Sequence, residues 1–351
     1  MEKQKENSAM LHMILRPGFR VKDNQITEVN QAAESLLLTP GTDIRSLLRT
    51  GGEEYEAFQG GCLYLQLSIF SRAFGATVCR MADSDLFLLD QASDDPELQA
   101  LALAARELRK PLQSAMNALK DLTPEAPDDR EPAAILSRGL HQLLRIVGNM
   151  SDAGASTVSR QEIRDMDSIF AEIFEKAGAM VAQTGISLTY QGLSETVYSL
   201  ADRDQLERAV LNVLSNALKF TPKGGSITAS LTRRGRTLRL SIQDSGDCIA
   251  DGVMGNLFSR YLRQPGIEDS RYGIGLGMVL IRTAAANHGG TVLVDQPDGK
   301  GTRITLTLAI RQNTDGQLRT PVHPFDYTGG WDHTLTELSE CLPLSAYEKE
   351  L

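Results

Sequence analysis

No apolar run in this sequence approaches the ~20 residues needed to span a bilayer, and the N-terminus lacks a signal-peptide pattern. Both absences lead us to expect a cytoplasmic chain with no transmembrane segment. Basic residues are outnumbered: 36 Lys and Arg against 45 Asp and Glu leave a formal net charge of −9. A phosphate backbone demands the opposite balance, so no nucleic-acid partner is expected. Cysteine is sparse. Cys62, Cys79, Cys248 and Cys341 are scattered, have no metal-ligand spacing and read as reduced thiols. What is present is an apolar content of 41% over 351 residues, enough for real cores and too long for one ordinary domain.

The most informative stretch is Asp204–Gly290. Its opening helix places Leu206, Val210, Val213 and Ala217 on a core-facing stripe. Arg208, Asn212, Asn216 and Lys219 fall on the opposite stripe, where two amides and an ammonium can grip a metal-bound polyphosphate. Asp244-Ser-Gly246 follows, with Asp244 as an acceptor for an adenine amine. Gly273-Ile-Gly275-Leu276-Gly277 then opens a second helix, where backbone N–H groups and the helix dipole favour phosphate. Singly, a glycine run is a tight turn and an Asn-rich helix face is a solvated one; the order and spacing of all three raise the functional reading above either.

This segment resembles the ATP-binding domain of sensor histidine kinases, one branch of the superfamily shared with gyrase, Hsp90 and MutL. Asn212, Asn216, Lys219 and Phe220 match its asparagine box, Asp244 and Gly246 its first glycine box, and Gly273, Gly275, Leu276 and Gly277 its second. Leu257–Arg263 matches the phenylalanine box, and His288-Gly-Gly and Gly301-Thr302 match as well. The resemblance implies an α/β-sandwich (Bergerat) fold over 160–311, ATP and Mg²⁺ as ligands, and Asn216 as the metal-binding residue. It also implies a mobile lid at Ala250–Arg271, from which Arg260, Arg263 and Arg271 either reach phosphate or stay solvated. One position departs: the family has Gly where this chain has Cys248. If that turn needs a positive φ, cysteine is strained there by about 1 kcal/mol.

The first 92 residues read as a small α/β sensor module. Strands are expected at Met13–Phe19 and Gln25–Val29 about a turn at Lys22-Asp-Asn. A helix capped by Asn30 comes next, followed by strands around Leu63–Ile69, Ala76–Arg80 and Leu86–Leu89. The order resembles a PAS domain, and His12 reads as an ordinary surface or core histidine.

Residues 93–156 read as a helical hairpin. Leu98, Leu101, Ala105, Leu108, Leu112, Ala115, Leu119 and Leu122 form one seam, and Ala133, Leu136, Leu140, Leu143, Val147 and Met150 another. Thr123–Pro132 breaks the pattern. Two such seams leave more apolar surface than one hairpin covers, which points to a homodimeric four-helix bundle, with an intramolecular linker coil as the alternative. The hairpin resembles the phosphotransfer element of histidine kinases, with two departures. Arg106 stands where the family's acceptor histidine would be, and Lys110 where it has the Thr or Asn that orients water. Arginine stays protonated and cannot be a nucleophile, whereas Glu107, the candidate general base, is in place. His141 reads as a solvated surface residue, not a substitute acceptor.

Residues 312–351 form a tail with the sequence's single Trp331 and a short helix expected over Asp332–Cys341. Its aromatics call for docking on the ATP domain or on a partner. The whole is therefore expected to be an α+β multidomain signalling protein of two-component type: a regulatory pseudokinase, or a kinase for another protein, with a response regulator or partner kinase. The alternatives are an active kinase using an unexpected acceptor, a mechanical ATPase, and an anti-sigma-type serine kinase. The mechanical ATPase needs a Glu where Asn212 stands, and the serine kinase does not account for the long hairpin.

Overall fold

The computed structural model describes residues 11–90, 96–120, 127–154, 161–249, 257–258, 276–297, 300–311 and 328–348. The first unit contains β1 (Gly18–Lys22), β2 (Gln25–Val29), α1 (Gln31–Glu34), β3 (Leu48–Thr50), α2 (Gly52–Ala57), β4 (Cys62–Ile69), β5 (Arg72–Arg80) and β6 (Asp85–Leu89). Asp23 and Asn24 both have positive φ, the mirror-image turn that suits a two-residue hairpin. Asn30 Oδ1 caps α1 through the Ala33 N–H and also accepts from the Gly18 N–H, joining helix to sheet. The first strand is displaced from the expected Met13–Phe19, because Leu11–Met13 is helical and only the segment after Pro17 pairs with β6. Leu11 is buried.

Two long helices follow, α3 (Pro96–Lys120) and α4 (Pro127–Gly154). The expected break is shorter than Thr123–Pro132, because Pro132 lies inside α4. The seam also differs. Ala105, Leu112, Met116 and Leu119 pack against Leu140, Leu144, Val147 and Trp331. Leu108, Ala115, Leu136 and Leu143 instead face outward. Each helix carries two apolar stripes, and a single hairpin covers one.

The third unit comprises β7 (Glu162–Asp165), α5 (Met166–Val181), β8 (Ser187–Gln191), β9 (Tyr198–Ala201), α6 (Arg203–Phe220), β10 (Ser226–Arg234), β11 (Thr237–Asp244), α7 (Gly277–Asn287), β12 (Val292–Asp295) and β13 (Arg303–Ala309). Helices α5, α6 and α7 bury their apolar residues in one core with strands β10–β13. The returning tail carries α8 (His333–Glu337), shorter than the expected Asp332–Cys341 and capped by Asp332.

The first and third units share one sheet, in the order β2-β1-β6-β5-β4-β12-β13-β11-β10-β8. The junction pairs Cys62, Leu63 and Tyr64 of β4 with Val294, Leu293 and Val292 of β12, so each strand satisfies the other's open edge. Gly61 permits this approach: it has φ +88°, and a Cβ there would lie 2.2 Å from the Val294 carbonyl oxygen. Arg282 of α7, 2% exposed, seals the joint. Its Nη1 donates to both Asp90 carboxylate oxygens (2.8 and 2.7 Å) and to the Phe258 carbonyl (2.9 Å). The guanidinium also lies over the Tyr64 ring.

Candidate functional site

Helix α6 anchors the site. Asp202 caps it by accepting from the Gln205 N–H. The Asp202 N–H in turn donates to His288 Nε2 at 2.9 Å, and His288 Nδ1 lies 2.7 Å from the Ala284 carbonyl. That pair of contacts requires a neutral ring with its proton on Nδ1, and burial pushes the His288 pKa below its ordinary value. The histidine thus bolts the start of α6 to the end of α7.

At the other end of α6, β11 delivers Asp244. Its Oδ1 accepts from the Gly246 N–H (2.9 Å) and the Thr302 N–H (3.3 Å). Burial raises the Asp244 pKa, with the two backbone N–H groups opposing the rise. Gly246 is pressed on the last carbonyl of α6: a Cβ there would lie 2.2 Å from the Phe220 oxygen, so no side chain fits without moving the turn. Gly277 packs on Asn212, and Asn216 Nδ2 lies 3.8 Å from Met278 Sδ on α7. Asp244, Gly246, Phe220, Thr302, Leu276, Gly277, Asn212 and Asn216 are therefore gathered around one helix. Gly273 and Gly275, along with Arg260, Arg263 and Arg271, lie outside the described residues. Cys248 does not occupy a positive-φ conformation, so the strain anticipated there does not arise.

The polar stripe of α6 is covered, contrary to the solvated face a nucleotide would approach. Glu337 of α8 is fully buried. Its carboxylate faces Arg145 Nε of α4 (3.3 Å), Arg208 Nε (3.2 Å) and Asn212 Nδ2 (3.4 Å). Glu340 pairs with Arg145 Nη1 (2.8 Å) and with Lys219 Nζ. Burial alone would raise the Glu340 pKa, but Arg145 and Lys219 outweigh it and hold it below the ordinary carboxylate value. Arg208 also meets Asp152 and Asn149 of α4.

His141 needs the same correction. It is completely buried, with Nδ1 2.9 Å from Thr336 Oγ1 and its ring against Trp331 and Tyr347. The returning tail buries it. Arg106, Glu107 and Lys110 are exposed on α3. Among the described residues no group of three or more His, Cys, Asp or Glu could hold a metal, and no helix is long and apolar enough to cross a membrane.

Comparison with known proteins adds the family. Residues 201–312 match the family of histidine kinase-, DNA gyrase B- and HSP90-like ATPases. An uncharacterized sensor-like histidine kinase of Rhizobium meliloti is 27% identical over 62% of this chain and 44% of its own length. The adaptive-response sensory kinase SasA of Synechocystis sp. is 27% identical over 69% of this chain and 68% of its own. Histidine protein kinase DivJ of Caulobacter vibrioides is 29% identical over 63% of this chain and 40% of its own. The chain thus spans about half the length of several curated relatives. The crystal structure of full-length ShkA in complex with AMPPNP superposes with a TM-score of 0.50 at 22% identity, covering 61% of this chain and 46% of that one, which establishes a shared fold. Residues 201–312 are a domain of the histidine kinase-, DNA gyrase B- and HSP90-like ATPase family, carried on a chain whose relatives are histidine kinases.

Proposed function

We propose that this chain is a cytoplasmic two-component signalling protein that binds ATP with Mg²⁺ on α6 and cannot phosphorylate its own hairpin at the usual position. One observation carries the reading: motifs far apart in sequence converge on α6, with the buried Asp244 carboxylate at one end and Asn212 against Gly277 along its face. Asp244 suits the adenine amine as an acceptor. Asn216, half-buried, offers one amide oxygen, which fits a cation that takes one or two protein ligands and completes its shell with phosphate and water. Lys219 adds a positive charge, and Thr302 and Leu276 line the base of the site. The nucleotide would supply a transferable phosphoryl group. With Arg106 in the acceptor position, the chain acts as a regulatory pseudokinase or on another protein's residue, alongside a response regulator or partner kinase.

We assign the role of a PAS-like sensor to the first unit, in which two strands and a short helix precede the remaining strands. The outward stripe, with Leu108 52% and Leu143 51% exposed, supports a homodimeric four-helix bundle. Light scattering is expected to give twice the chain mass, and Leu108→Glu with Leu143→Glu to give folded monomers, since neither side chain belongs to the hairpin's own core. A wild-type monomer at tens of micromolar would refute the bundle.

Calorimetry tests the nucleotide site. Mg-ATP should bind, and Asp244→Asn and Asn216→Ala should each weaken it by roughly tenfold or more, the loss of a charge-assisted hydrogen bond or of a hard ligand. Undisturbed binding in both variants would remove the site from α6.

A further inference from the structure

We propose that residues 328–347 are a built-in competitor for nucleotide: Glu337 and Glu340 occupy Arg208, Asn212 and Lys219 along the α6 stripe and release them when the tail lets go. The inference rests on the reading of α6 as the nucleotide-binding helix and adds its regulation.

Polyphosphate needs positive charge and amide or hydroxyl partners in a water-poor setting. Arg208, Asn212 and Lys219 form that set, and each is taken by a tail carboxylate. Arg145 of α4 joins them, pairing with both glutamates at once. The same interactions therefore clasp the hairpin to the ATPase domain. A nucleotide entering here would bring its charge against two carboxylates, and Lys219 would have to exchange Glu340 for phosphate.

The remainder of the tail holds the glutamates in place. Trp331 packs in the hairpin core, Leu335, Leu338 and Leu342 pack in the core shared with α6, and Tyr347 is fully buried. His333 Nδ1 lies 3.3 Å from Glu207 of α6. Gln142 donates to the Ser339 carbonyl, and Cys341 Sγ donates to the Ser215 carbonyl. The apolar contacts set position, while the two carboxylates set which groups on α6 remain accessible.

The test uses the full chain and keeps those apolar anchors. Mg-ATP and Mg-ADP are titrated into wild type, Glu340→Gln, Glu337→Gln with Glu340→Gln, and Glu348→Gln as a control at an exposed tail residue. Glu340→Gln is expected to tighten both nucleotides about tenfold and the double variant further, within the usual range of coupling between two sites. Glu348→Gln should match wild type. Hydrogen exchange on the wild type should show residues 328–348 losing protection as nucleotide is added. Should the double variant unfold, the single Glu340→Gln decides, because that side chain keeps partial contact with solvent. Equal affinity in wild type and Glu340→Gln, or weaker affinity in the variant, overturns the competitor while the α6 site stands. No binding by any of these proteins overturns both.

Discussion

Arg106→His is expected to turn a protein that takes no phosphate on its hairpin into one that accumulates acid-labile phosphate from γ-labelled ATP. Arg106 sits on the exposed face of α3, and Glu107 beside it is also exposed and able to receive the proton that an imidazole loses on attacking phosphorus. A guanidinium is not a nucleophile, so the wild type should stay at background. His141→Ala in the Arg106→His background should leave the label unchanged, provided the protein folds, because His141 is buried under the tail and cannot be the acceptor. Combining Arg106→His with Glu340→Gln should raise the yield if the tail restrains the nucleotide. Lys110, exposed one turn further on, lacks the amide or hydroxyl that would orient water. The revived protein should therefore phosphorylate a cognate regulator without stripping it, and Lys110→Thr should add the reverse step. An Arg106→His protein that binds ATP yet stays unlabelled would sink the idea that the nucleophile alone is missing.

Asp90→Ala should lower stability by about 3–5 kcal/mol, the usual effect of leaving a buried charge without its partner. Arg282 is almost wholly enclosed between the first unit and the ATPase domain, and Asp90 takes both of its short ion-pair contacts. On the scale of the whole chain this corresponds to a fall in Tm of about 4–7 °C. Arg282→Met added to Asp90→Ala should recover part of the loss, because the stranded guanidinium is then gone. A thermal shift of less than about 2 °C for Asp90→Ala would show that water reaches Arg282 and that the joint is loose. The joint has a second consequence. The Arg282 guanidinium holds the Phe258 carbonyl, and the Tyr64 ring of β4 lies 5.6 Å from that of Phe258. Strain in β4 would therefore be felt next to the segment that matches the phenylalanine box.

Much of the local structure was legible in the residues. Asn30 announces its helix because a short amide side chain can satisfy a first-turn N–H, and Asp23-Asn24 announces the turn because both residues tolerate positive φ. The amphipathic period exposed the two hairpin helices, and the motif spacing located α6, Asp244 and the start of α7. That Arg106 cannot serve as a nucleophile was equally legible, since it is a matter of side-chain chemistry alone. Period by itself failed at the hairpin seam, where two apolar stripes on each helix gave no ground for choosing the inner one. The tertiary structure chose Met116 and Leu144 over Leu108 and Leu143.

The sequence by itself determined most of the elements and the order and spacing of the motif residues, because these depend on neighbours within a few turns of chain. Only the tertiary structure decided the fused sheet, the buried His141 and the tail across α6. Glu337 and Arg145 are 192 residues apart, and each read alone is a charged residue expected in water. Docking removes the water, and the electrostatic attraction that is weak in solvent becomes strong in the low-dielectric contact. No local pattern encodes that pairing. It exists because the apolar side chains of the tail, Trp331 and Leu335 among them, carry Glu337 and Glu340 to Arg208 and Lys219 of α6 and Arg145 of α4.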